Sequence, residues 1–134
     1  MKKIGDLYLI PNLLGESAVN DVLPLRVREV VLLCNHFIVE NPKNARRFIK
    51  AIAPEKSQES LELFPLNKHT DQADKETYLS HCLEGLPMGI ISDAGCPAIA
   101  DPGSEIVRMA HQHGIRVIPL VGPSSILLSL MASG

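Results

Sequence analysis

The stretch Met88-Gly89-Ile90-Ile91-Ser92-Asp93-Ala94-Gly95-Cys96-Pro97-Ala98-Ile99-Ala100-Asp101-Pro102-Gly103 joins a short apolar run to a loop of small residues and two acids. The apolar run reads as a buried strand, and the pattern after Gly103, with Ile106, Val107 and Ala110 apolar, reads as a helix ended by Gly114. The loop therefore sits at the carboxyl end of a strand. In an open α/β sheet that edge is where ligands bind.

The same alternation extends in both directions. Leu7-Tyr8-Leu9-Ile10, His36-Phe37-Ile38-Val39-Glu40, Leu61 to Phe64 and Ile115 to Val121 read as further strands, with Pro119 at a strand end or on an edge. Helices are predicted from Leu23 to Leu33, after Asn41-Pro42, from Asp71 to Glu84 with Gly85 as its stop, and from Ile126 to Ala132. Asn41 is the expected cap and Pro42 the first helical residue; Phe48, Ile49 and Ile52 form that helix's apolar face. Strands alternating with helices predict an α/β fold, an αβα sandwich around a mainly parallel five-stranded sheet.

Bulk composition fits this. The chain has 134 residues, enough for one domain with a real core. Apolar residues make up 46% and aromatics only 4%, with no Trp, so Leu, Ile, Val and Ala must fill the core. The formal charge of −2 gives no global field toward nucleic acid, while leaving room for a local basic patch. Three cysteines without a CxxC pair point to reduced thiols. Gly5-Asp6 interrupts any signal-like start, and no apolar run approaches a membrane span. The expectation is a soluble, cytoplasmic protein without membrane contact.

Two loops carry the candidate site. Asp93, Ala94, Gly95, Cys96 and Pro97 form the first; small residues let main-chain groups approach a ligand, and Asp93 could bind a hydroxyl or amino group. Asp101 and Pro102 read as a helix cap instead. Gly122, Pro123, Ser124 and Ser125 form the second, where free N–H groups and hydroxyls at a helix start could hold an anion or simply cap the helix. The two loops follow consecutive strands and could face one crevice. Lys43, Arg46, Arg47 and Lys50 recur at helical spacing, as phosphate contacts or as a solvated face. No metal site is expected: His111 and His113 diverge on a helix, and Cys34 and His36 have no ligand partners nearby in sequence. Cys96 lacks a His partner for a nucleophilic role. Neither GxGxxG nor GxxxxGK[ST] occurs.

The segments Ile90 to Pro97, Ala100-Asp101-Pro102-Gly103, Ile115 to Ser124 and Ala132-Ser133-Gly134 together resemble the tetrapyrrole methylase superfamily. Within it they are most similar to the ribosomal RNA small-subunit methyltransferase I group, which reads SDAGTP, DPG, VPLPGPS and SG at these places and methylates a cytidine 2′-hydroxyl. The resemblance covers residues 88–134 strongly, and the upstream order of elements agrees. It implies an S-adenosylmethionine-dependent methyltransferase, usually homodimeric, whose cofactor lies in a cleft between two domains. It carries cofactor contact onto residues 93–97 and 122–125. It also implies that this chain is the first domain alone, a reading to which the apolar last helix adds.

Departures fall upstream. Pro11-Asn12-Leu13-Leu14-Gly15-Glu16 replaces the group's Pro-Thr-Pro-Ile-Gly-Asn. Glu40-Asn41-Pro42-Lys43 replaces Glu-Asp-Thr-Arg, and Phe64-Pro65-Leu66-Asn67 replaces His-x-His-Asn. The cofactor side is kept better than the substrate side. A ribose hydroxyl is a weak nucleophile that a base would assist, and Glu40 and Asp93 are the candidates for that base. Two other readings stand beside rRNA methylation: a methyltransferase of a tetrapyrrole or other small molecule, and a non-catalytic module that keeps the fold and binds the cofactor or a partner.

Overall fold

The computed structural model describes residues 3–99 and 103–134. Its strands are β1 (Leu7–Ile10), β2 (His36–Val39), β3 (Glu62–Pro65), β4 (Met88–Ile91) and β5 (Val117–Pro119). They form one five-stranded sheet in the order β3-β2-β4-β1-β5, and every pairing is parallel. The helices are α1 (Val19–Val22), α2 (Leu25–Leu33), α3 (Pro42–Ile52), α4 (Gln72–Thr77), α5 (Ser80–Leu83), α6 (Gly103–Gln112) and α7 (Ser125–Ser133).

Strand side chains alternate between two cores. Tyr8, Ile10, Phe37, Val39 and Ile91 face Val27, Val30 and Val31 of α2 and Phe48, Ile49 and Ile52 of α3. Leu7, Ile38, Met88 and Ile90 face the other way, toward Tyr78, Leu79, Cys82 and, from α6, Ile106 and Ala110. A sheet covered on both faces explains why β4 is buried at every position. Gly89 is required on the first face, because a Cβ there would lie 2.5 Å from Ile10 Cδ1 and 3.0 Å from Phe37 Cδ1.

The sandwich, the parallel sheet and the bounds of β1 and β4 match the sequence reading. Asn41 caps α3 through bonds from the N–H groups of Lys43 at 2.9 Å and Asn44 at 3.2 Å. Gly85 and Gly114 take φ of 102° and 72° at their helix ends. Pro119 lies on β5, an edge strand, where its missing N–H costs no ladder bond. The single helix expected over 71–84 is two shorter ones. The chain turns at Tyr78-Leu79, which buries both neighbouring side chains and lets the Tyr78 hydroxyl donate to the Pro65 carbonyl. A continuous helix would point adjacent residues about 100° apart. The helix expected from Leu23 begins at Leu25, after the separate turn α1. Asp101 and Pro102, expected as a cap, lie outside the described residues.

Candidate active site at the carboxyl edge

β1 and β4 are neighbours, yet the chain leaves them toward opposite faces: β1 feeds α2 and β4 feeds α6. Their outgoing loops therefore diverge and open a crevice, the topological switch point of an open α/β sheet. Because all strands are parallel, the segments after β1, β2, β4 and β5 meet at this one edge. The two loops singled out from sequence are both here.

Asn12 forms the floor. Its Nδ2 donates to the carbonyls of Ser92 at 3.1 Å and Asp93 at 3.3 Å, and its Oδ1 accepts from the Leu13 N–H at 2.7 Å. Its own N–H donates to the Gly95 carbonyl at 2.9 Å. The side chain is buried, with both amide hydrogens and the oxygen used. Ser92, also buried, turns its hydroxyl onto the carbonyls of Ala94 at 3.0 Å and Gly95 at 3.2 Å. Gly95 takes φ of 67°, the left-handed region that favours glycine.

The neighbouring loops brace the same turn. Glu40, just past β2, accepts the Asp93 N–H on its Oε1 at 3.0 Å. On the other side the Cys96 thiol lies 3.5 Å from the Gly122 carbonyl and 3.3 Å from that of Pro123, as a donor to both. Gly122 packs so closely on β1's loop that a Cβ would stand 2.1 Å from Pro11 Cβ. Burial raises the Cys96 pKa, so its sulfur stays a thiol and acts as a brace.

The candidate residues therefore divide by task. Asp93, Ala94 and Ser125 are exposed on the rim, and Gly122, Pro123 and Ser124 are half-buried behind them. Gly95 and Pro97 are buried and Cys96 is half-buried; these three shape the loop from within. Ser124 caps α7, its Oγ accepting from Leu127 N–H at 3.4 Å, so the capping role applies. Asn12 was missed by sequence reasoning. It stands in one of the loops that depart from the related group, and its partners are main-chain atoms that no side-chain motif marks.

Two cavities flank the turn. One, of about 400 Å³, runs between the β1 loop and α3 and is lined by Asn12, Leu14, Asn44, Arg47 and Asp93 among others. A smaller one, of about 90 Å³, lies between Ala94, Gly95, Cys96 and Ile99 on one side and Ser124, Ser125 and Ile126 on the other. The larger is in the size range of ligand clefts. The exposed Asp93 carboxylate, the small residues of the rim and the Ser125 hydroxyl suit a ligand with hydroxyl groups and positive charge, as S-adenosylmethionine is.

No protein-family model matches the chain. It is 33% identical over 130 residues to ribosomal RNA small subunit methyltransferase I of Escherichia coli O157:H7, covering 97% of this chain and 43% of that protein. Identity is 34% over 133 residues to the protein of the same name from Pseudomonas aeruginosa, covering 97% and 43%. Among solved structures, uroporphyrin-III-C-methyltransferase from Thermus thermophilus superposes with a TM-score of 0.63 at 21% identity, over 90% of this chain and 49% of that one.

The chain thus shares the five-stranded parallel α/β fold of that structure. Over 97% of its length the chain is similar to proteins named ribosomal RNA small subunit methyltransferase I. The chain spans less than half the length of these relatives, 43% for the Escherichia coli protein.

Proposed function

We propose that this chain supplies one wall of the cofactor cleft of an S-adenosylmethionine-dependent methyltransferase that modifies small-subunit ribosomal RNA at a cytidine 2′-hydroxyl. The observation that carries the reading is the braced turn at the switch point. Asn12, Glu40 and the carbonyls of Gly122 and Pro123, from three different segments, hold the Ser92–Pro97 loop in one conformation. Methyl transfer depends heavily on positioning, and a preorganised loop supplies that. When bound, S-adenosylmethionine supplies an electrophilic methyl group on a sulfonium. This chain's part is to present the exposed Asp93 carboxylate and the rim of residues 93–97 and 122–125 to it.

An RNA substrate has support from α3. Lys43, Arg46, Arg47 and Lys50 are exposed on its outer face, and none has a carboxylate partner among the described residues. Arg47 also lines the larger cavity beside Asp93. A cationic stripe leading into the cleft is what phosphate positioning requires. Glu40 has a positioning task, because its Oε1 already accepts the Asp93 N–H. The reading includes a homodimer; exposed apolar side chains along α7, Ile126, Leu127, Leu130 and Met131, are surface that association would cover. No described helix is long and apolar enough to cross a membrane.

The test is methyl transfer. The gene product that carries this chain is incubated with tritiated S-adenosylmethionine and small ribosomal subunits from cells lacking it. Label in the RNA, at an alkali-resistant cytidine linkage, is expected. Cofactor binding without label in RNA would rule out the ribosomal substrate, and absence of binding would remove the methyltransferase reading.

A further inference from the structure

The opposite, amino edge of the sheet holds a cluster that the methyltransferase reading does not use. His36 opens β2 and pairs in register with Glu62, which opens β3. His81, on α5, stacks its ring on that of His36, with centroids 3.9 Å apart and planes inclined by 23°. Glu62 Oε2 lies 3.6 Å from His36 Nε2 and 3.5 Å from His81 Nε2. Three donor atoms from three separate elements thus lie within 4.8 Å of one another.

We propose that His36, Glu62 and His81 bind a divalent transition-metal ion, of the class zinc represents, and that the ion clips β2, β3 and α5 together. The spacing fits. A tetrahedral ion bonded at about 2.0–2.2 Å to nitrogen and oxygen sets neighbouring ligand atoms about 3.3–3.5 Å apart. The observed nitrogen–oxygen separations are 3.5 and 3.6 Å. Imidazole with carboxylate is a donor set that zinc accepts.

The polar accounting points the same way. His81 Nδ1 is fully buried without a hydrogen-bond partner among the described residues. The ring's other nitrogen, Nε2, is the one that faces the Glu62 carboxylate, 3.5 Å away, and is the atom left to bind the ion. Stacked rings aim their lone pairs along similar directions, so one must turn about its Cβ–Cγ bond to seat the ion. No hydrogen bond fixes the His81 Nδ1 against such a turn, though the ring packs on His36 and Phe64. Its side chain is 27% exposed and that of Glu62 59%, leaving a solvent path for the ion and for a water as fourth ligand.

The experiment uses untagged protein stripped with a chelator. Zinc chloride is titrated by calorimetry and cobalt(II) by visible absorption, and melting is followed with and without zinc. One zinc per chain, tetrahedral cobalt bands and a raised melting temperature are expected. Glu62→Gln, at an exposed strand end, should keep the fold by circular dichroism. It should weaken zinc binding beyond the ~10-fold that loss of an outer-shell partner already costs. His81→Ala should do the same, and His111→Ala/His113→Ala should change nothing. Absence of zinc binding would overturn the site. So would binding that survives both Glu62→Gln and His81→Ala, or binding that disappears with His111 and His113.

Discussion

The carboxamide of Asn12 bonds to the main-chain carbonyl of Ser92 at 3.1 Å, across 80 residues of sequence, and ties the loop after β1 to the loop after β4. Removing it leaves the buried Ser92 carbonyl, and with it the part-buried Asp93 carbonyl and Leu13 N–H, short of a partner. Asn12→Ala should therefore cost about 1–3 kcal/mol of stability. Hydrogen exchange at the amides of Asn12 and Gly95 should accelerate more than at β4 itself. Unchanged denaturant midpoint and unchanged exchange would mean that the turn holds itself.

Glu40 distinguishes positioning from proton transfer. Its Oε1 accepts the Asp93 N–H, and a Gln side chain keeps an oxygen for that task. Glu40→Gln should retain cofactor affinity and turnover in the complete enzyme. Glu40→Ala should weaken cofactor binding about 5–10-fold, the value of one ordinary hydrogen bond. If Glu40→Gln abolishes turnover with binding intact, Glu40 is the base after all.

Gly122 sets how closely two rim loops approach. A Cβ there would sit 2.1 Å from Pro11 Cβ and 2.4 Å from Pro11 Cγ, so Gly122→Ala must push the β5 and β1 loops apart. The expected cost is about 1–3 kcal/mol, as for overpacked sites. Gly15→Ala, where a Cβ meets nothing within 4 Å, is the control and should be silent in thermal melts. Equal melting temperatures for the two variants would show that the loops shift freely.

Alkaline pH should reveal the buried thiols. Burial pushes Cys34 and Cys82 from the ordinary 9.0 up to about 12. Between these values the unfolded chain has lost protons that the folded chain keeps, so stability falls as pH rises. The contribution is complete below pH 9 and gone near pH 12. The slope should approach about 1.4 kcal/mol per pH unit for each thiol. Urea midpoints at pH 8, 9 and 10 measure it, and Cys34→Ala/Cys82→Ala should flatten the decline. A wild-type midpoint constant across the window would contradict the burial.

Local signals carried much of the fold. Leu7–Ile10 and Met88–Ile91 are apolar runs flanked by turn formers, and both strands begin and end where the pattern does. Asn41-Pro42, Gly85 and Gly114 mark helix ends by local backbone chemistry alone. What stayed hidden depends on distant partners. The break at Tyr78-Leu79 is driven by core burial and a bond to Pro65, invisible in a 3.6-residue pattern. Asn12 could not be read as a brace because its partners are carbonyls in the loop after β4, 80 and 81 residues away in sequence. His36, Glu62 and His81 meet only through the β2–β3 register and the packing of α5, so their spacing in sequence carried no metal signature.

The most direct test of the cleft wall is chemical-shift mapping of S-adenosylmethionine on the isotopically labelled protein, which detects contact even at millimolar affinity. Shifts are expected at the amides of Asn12 to Gly15, Asp93 to Cys96 and Gly122 to Ser125, with none at His36, Glu62 or His81. A silent carboxyl edge at millimolar cofactor, or shifts confined to the amino edge, would contradict the assignment.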